Sequence, residues 1–213
     1  VAFAGWPAEA VEFYEGLEAD NSKSYWHAHK AVYDELVHAP MSELLAELEP
    51  EFGEGKIFRP YRDLRFSRDK SPYKTAMGAT LADGGYVQFS AAGLAAGAGM
   101  FGLAGERLSR FRQAVDEDAS GRELSAIVAT LAAAGIGVTA HDILKTVPKG
   151  FAKDHPRAGL LRHKGLIAWR QWQAGAWLGT SEAKTRVVGF LRAATALGDW
   201  LTAHVGPADG QPG

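Results

Sequence analysis

An α+β fold follows from three features of this 213-residue chain. Helical periodicity fills the first fifty residues, and short uncharged segments separated by turn signals fill the middle. Helical periodicity then returns and closes the chain on a long apolar stripe. This order lacks the regular βαβ alternation of a parallel sheet, so the central sheet is expected to be mainly antiparallel. With 46% hydrophobic residues the chain can bury one large core, and residues 1–205 are read as a single domain followed by a flexible tail at 206–213.

Taken in order, Pro7 can open a helix whose apolar positions Ala10, Phe13, Tyr14 and Leu17 share one face. Asp20-Asn21-Ser22 stops that helix and can cap the next. The second helix is expected to place Trp26, His29, Tyr33, Leu36 and Val37 on a face. A third follows Pro40 with Met41, Leu44, Leu45 and Leu48. Pro60 and Pro72 then argue against a continuous helix, and segments 76–82, 85–91 and 94–103 read as an antiparallel meander, with Asp83-Gly84-Gly85 as a turn. Residues 106–118 return to helix through Leu108, Phe111 and Val115. Ser120 to Glu123 has the capping-box spacing ahead of Leu124, Ile127, Val128 and Leu131, and Gly135 ends that helix. A strand near 138–146, a loop around Pro148 to Pro156, a short helix and a strand near 166–173 precede the final helix. That last helix carries Val187, Phe190, Leu191, Ala194, Leu197 and Leu201 on one stripe.

The absence of cysteine removes disulfides, thiolate metal sites and a cysteine nucleophile, and makes the cytoplasm the default location. No secretory signal is read at the N-terminus, and no membrane span. Residues 84–105 carry no charge, but their seven glycines and alternating polar residues mark strands rather than a span. Within them Gly97-Ala-Gly99-Met-Phe-Gly102 spells the dinucleotide-binding fingerprint outside a βαβ context, so close packing of elements is the better reading of these glycines. His27 and His29 lie two apart on a helix and cannot chelate together, so no metal ligand is assigned, and no cofactor.

The concentrated signal is R59-P-Y-R-D-L-R-F-S-R-D-K-S-P-Y-K74. It holds six cationic side chains against two aspartates in a chain whose formal net charge is only −2. An unpaired buried cation costs several kcal/mol in a domain stable by about 5–15, so the surplus must meet water, acids from elsewhere or an anionic ligand. Guanidinium groups bind carboxylate and phosphate through paired planar hydrogen bonds, while Tyr61, Phe66 and Tyr73 can supply apolar walls or stacking faces. The alternative is a structural salt-bridge network with the glutamate-rich helix carrying Glu43, Glu47, Glu49, Glu51 and Glu54. In an extended chain Arg59 and Arg65 would face one way and Arg62 and Arg68 the other. In a helical turn all four converge, and the sequence leaves both open.

The pattern K-x-x-R-x-x-R-D-x-R-F-S-x-D-K-x-P-Y-K over residues 56–74 resembles the hallmark of a bacterial family, domain of unknown function 2461. So does P-x-G-F-x-x-x-H-P over residues 148–156, and a helix pair around Phe13, Leu17, Asn21, His29, Lys30 and Tyr33. Where relatives tend to show Trp-Phe this chain has Tyr25-Trp26. The resemblance covers about residues 10–200 and implies a single-domain, soluble, cytoplasmic protein. It supplies no substrate, cofactor or catalytic residue.

The expected function is therefore a pocket for a small phosphate- or carboxylate-bearing molecule, where the arginine-rich loop meets the loop of residues 150–156. Arg59, Arg62 and Arg65 would hold the anion, Lys70 and Lys74 would add charge, and Tyr73 would line the site. Should the protein be an enzyme, His155 as general acid or base and Asp63 are the candidate catalytic residues. Asp63 and Asp69 would also orient the guanidiniums. A nucleic-acid-binding module is the alternative, opposed by a sequence pI near 6.4 and the shortness of the basic patch. The sequence assigns no oligomeric state.

Overall fold

A computed structural model describes residues 2–63, 65 and 70–206. Phe66, Arg68 and Asp69 lie outside the described residues, as does the expected tail beyond Gly206. The architecture is the predicted α+β one. Helices come first, then a six-stranded antiparallel sheet in the order β1-β2-β3-β4-β6-β5, then further helices ending in a long C-terminal one. Two compact units are formed, Val1–Ala96 with Gln171–Gly189, and Gly97–Arg170 with Phe190–Gly213.

The first unit opens with helix α1, Ala8–Ala19, preceded by Pro7 and burying Ala10, Phe13, Tyr14 and Leu17. Helix α2, Lys23–Ala28, is capped by the Ser22 hydroxyl, which accepts the Tyr25 N–H at 3.1 Å. The single second helix of the sequence reading is broken instead. His29 leaves helical geometry (φ −111°, ψ 13°), and a short α3, Lys30–Val32, leads into a π-helical turn, Tyr33–His38. Pro40 explains the widening. Its ring would strike the carbonyl four residues earlier in a regular helix, and the π turn lets Ala39 N–H reach Asp34 O instead. Helix α4, Ala39–Phe52, continues without a gap and buries Met41, Leu44, Leu45 and Leu48.

Strand β1, Gly55–Ile57, pairs with β2, Ala76–Leu81, in the register Ile57 to Ala79. Strand β2 pairs in turn with β3, Gly85–Ser90, in the register Ala76 to Ser90. Burial alternates along β3, with Val87 and Phe89 inward. Trp6 stacks on Phe89 at 4.8 Å, and its indole N–H donates to Val37 O at 3.1 Å, joining the N-terminal segment to sheet and π turn. Gly5 (φ +102°) permits this, since a Cβ there would lie 2.3 Å from Leu178 O.

Strand β4, Gly93–Met100, and strand β6, Leu166–Gln173, run through both units, as does the last helix. The second unit adds α5, Gly105–Asp116, α6, Asp118–Ala133, β5, Gly137–Thr139, and α7, Ala158–Leu161. Helix α8, Glu182–His204, buries all six apolar positions named from the sequence. The expected capping box at Ser120 is not used. Glu117 caps α6 by accepting the N–H groups of Ala119 and Ser120 and the Ser120 hydroxyl, so the helix begins before Ser120. The strand expected at 138–146 is shorter, because the chain turns after Thr139 and leaves only an isolated bridge from Ile143 to His163.

Candidate anion site

The cationic stretch is rooted in a short antiparallel ladder of the first unit. Phe58 N–H donates to Gly78 O at 2.9 Å, Lys74 N–H to Pro60 O at 2.8 Å and Arg62 N–H to Pro72 O at 3.0 Å, with Tyr61 bridged to Tyr73. Over the described residues 58–62 the backbone is paired with a neighbouring strand and is not a helical turn.

An aromatic column supports the root. Asn21 acts as a surrogate peptide: its amide donates to Tyr73 O at 3.1 Å and accepts Tyr73 N–H at 3.0 Å. Tyr73 is 3% exposed and stacks on Trp26 at 4.3 Å, with the rings 8° from parallel. Trp26 is packed in turn by Phe13 and Tyr33. Tyr61 lies on the outer side of this column, 5.5 Å from the Tyr73 ring and 51% exposed. The π turn places Tyr33 beneath the column, and its phenol is pushed up to about 12 by burial, with smaller effects of Asp34 and Tyr61.

The charges are unevenly matched. Arg65 grips Asp63 through two guanidinium nitrogens, at 3.0 and 2.6 Å, and that carboxyl is held below its ordinary range by these bonds first and by nearby Arg59 further. The Lys74 ammonium donates to Arg59 O at 2.9 Å and lies 5.5 Å over the Phe58 ring. Burial, and after it the Arg59 charge, push the Lys74 amine below its ordinary value. Among the described residues no carboxylate forms an ion pair with Arg59 or Lys74, and none of Glu43, Glu49 and Glu54 pairs with Arg65 either. Glu47 is occupied elsewhere, accepting Phe3 N–H at 2.7 Å and Lys184 at 2.6 Å. Arg62, half-buried, and Lys70, exposed, are both engaged in interactions.

The remaining named residue, His155, lies in the second unit with its own partners. Its Nδ1 accepts Arg157 N–H at 3.0 Å, which leaves the proton on Nε2, 3.3 Å from Asp116. Both ring nitrogens are thus occupied. Arg157 itself is 9% exposed and closes the end of α5, donating to Val115 O at 2.6 Å and Asp116 O at 2.8 Å and meeting Asp118 at 3.3 Å. The glycines of the dinucleotide spelling serve packing. A Cβ on Gly97 would lie 3.0 Å from Trp169, and one on Gly99 (φ +127°) 2.2 Å from Leu166 O. Among the described residues no group of three or more His, Asp and Glu side chains is arranged to hold a metal.

Sequence reasoning missed the Asn21 pin, the seat of Lys74 on Phe58 and the Arg157 plug. In the sequence Asn21 marks a helix stop, and a cap-like residue gives no sign of a partner 52 positions away. Phe58 stands immediately before Arg59, which was the available signal. Nothing in the sequence indicates that Arg157 seeks backbone carbonyls. A model of the family described as "Conserved hypothetical protein (DUF2461)" matches residues 9–200. No match was found among curated proteins or among solved structures.

Proposed function

Since the chain belongs to this family of conserved hypothetical proteins, DUF2461, whose function is unknown, we propose from its own chemistry that it binds a small phosphate- or carboxylate-bearing molecule at the root of the 59–74 loop. The observation that carries this reading is the placement of the Lys74 ammonium beside Arg59, with no carboxylate paired to either among the described residues. Burial first and the Arg59 charge second disfavour the charged Lys74 amine, which raises the energy of the empty site. An anion bridging Lys74 and Arg59 removes that penalty. Arg65 would serve as a third cation, its fork fixed by Asp63. Arg62 and Lys70 would complete the ring of charge, while Tyr73 supports the site from below. Of the α4 glutamates, Glu47 is engaged by Lys184 and Phe3 and so is taken up away from the cationic stretch.

The test is calorimetric titration with inorganic phosphate, sulfate and a short dicarboxylate, backed by thermal shift, since a bound anion raises the melting temperature by mass action. Arg59→Ala and Lys74→Gln should each weaken binding by about tenfold or more, the usual loss for a charge-assisted hydrogen bond. Arg122→Ala, at an exposed position of α6 paired with Asp118, should leave anion binding unchanged. Absence of anion binding by the folded wild type, or equal binding by folded Arg59→Ala, overturns the reading.

A further inference from the structure

Resting on that reading, we infer that the anion is carried by a flat aromatic ring, and that the ligand class is a mononucleotide. Phe58 and Tyr61 flank Arg59 in the chain, and they are 40% and 51% exposed. Large aromatics are normally withdrawn from water, so two left out beside Arg59 and Lys74, which form no ion pair with a carboxylate among the described residues, mark a contact surface rather than a fold requirement.

The two rings differ in what they can offer. Phe58 carries Lys74 on one face. Tyr61 has its inner side against buried Tyr73 and lies 6.2 Å from Trp26, so its ring is fixed while about half of it is open. A pre-ordered ring loses little entropy on stacking, which favours a planar partner over an aliphatic one. Arg59 and Tyr61 are two residues apart, so their Cα atoms are separated by at most about 7 Å. That is the reach of one pentose joining a base to its phosphate. Base on Tyr61 and phosphate on Arg59 and Lys74 is the arrangement these positions accept.

Four probes separate the contributions: inorganic phosphate, ribose 5-phosphate, adenosine and adenosine 5′-monophosphate, each titrated into the full chain. The nucleotide should bind about tenfold or more tightly than ribose 5-phosphate, the gain expected from one stacked base. Tyr61→Leu should abolish that advantage while leaving ribose 5-phosphate affinity unchanged, and Tyr61→Phe should keep it. Arg59→Ala should weaken nucleotide and sugar phosphate alike. Equal wild-type affinity for both phosphates, each still dependent on Arg59, overturns the ring requirement and leaves the anion site standing. This comparison needs no variant of Tyr61 to fold. Failure of every phosphate to bind removes both proposals. A single-stranded oligonucleotide that outcompetes the mononucleotide, with affinity falling log-linearly in salt, would overturn this inference in favour of a nucleic-acid surface.

Discussion

At the scale of single residues, the informative group is Lys74. Its amine is held below the ordinary value by burial first and by Arg59 second, so it loses its proton at lower pH than a free lysine. Only the charged amine attracts an anion. Affinity for sulfate, whose own charge is constant, should therefore fall as pH rises toward the ordinary lysine value of about 10.4, at lower pH than for a free lysine. Binding should also take up protons, because a neighbouring anion lifts the Lys74 pKa back. Lys74→Arg should bind with little pH dependence over the same range. Calorimetry in buffers of different ionisation enthalpy measures both effects, and a flat profile for the wild type would show that Lys74 takes no part.

At the scale of elements, glycine separates packing from propensity. Gly121 and Gly189 both lie inside helices, where alanine is intrinsically better by about 1 kcal/mol. A Cβ at Gly121 would lie 2.3 Å from Val115 O and 2.4 Å from Arg157 Nε, whereas one at Gly189 meets nothing within 4 Å. Overpacking outweighs propensity at the first position, so Gly121→Ala should destabilise by about 1–3 kcal/mol. Gly189→Ala should stabilise by about 0.5–1 kcal/mol. Urea midpoints of the two variants, moving in opposite directions from wild type, are the expected result. Arg157 fills the gap under Gly121 and ties the end of α5 to the start of α6.

At the scale of the whole molecule, Glu47 and Asp63 in the first unit and Glu117 and Asp118 in the second are held below the ordinary carboxyl range. Glu47 is lowered by hydrogen bonds from Lys184 and then Phe3 N–H, and Asp63 by Arg65. Glu117 is lowered by Ser120 and Ala119, and Asp118 by Arg122 and then Arg157. A carboxyl with a depressed folded pKa contributes stability above its unfolded pKa and loses it as pH falls through the folded value. Stability should thus hold near neutrality and decline below about pH 4, where unfolded carboxyls begin to take up protons. Urea denaturation from about pH 7 to 3 measures this, and Glu47→Gln should flatten part of the slope. A midpoint independent of pH in that window would mean these pairs contribute nothing. No described helix is long and apolar enough to cross a membrane.

The sequence by itself determined the α+β class, the buried faces of α1, α4 and α8, the strands of the meander and the 166–173 strand, and the location of the cationic excess. These rest on relations of a few residues, helical at three to four and extended at two, which a linear pattern carries whole. It located the 59–74 excess without deciding its partners. That Glu47 goes to Lys184 across 137 positions and that Asn21 holds Tyr73 across 52 were decided only by the tertiary structure. The widened turn before Pro40 and the cap at Glu117 are local features instead, which the apolar periodicity does not carry. A salt bridge or a side-chain to backbone bond leaves no periodic trace, because either partner would look the same in the sequence if the other stood anywhere else.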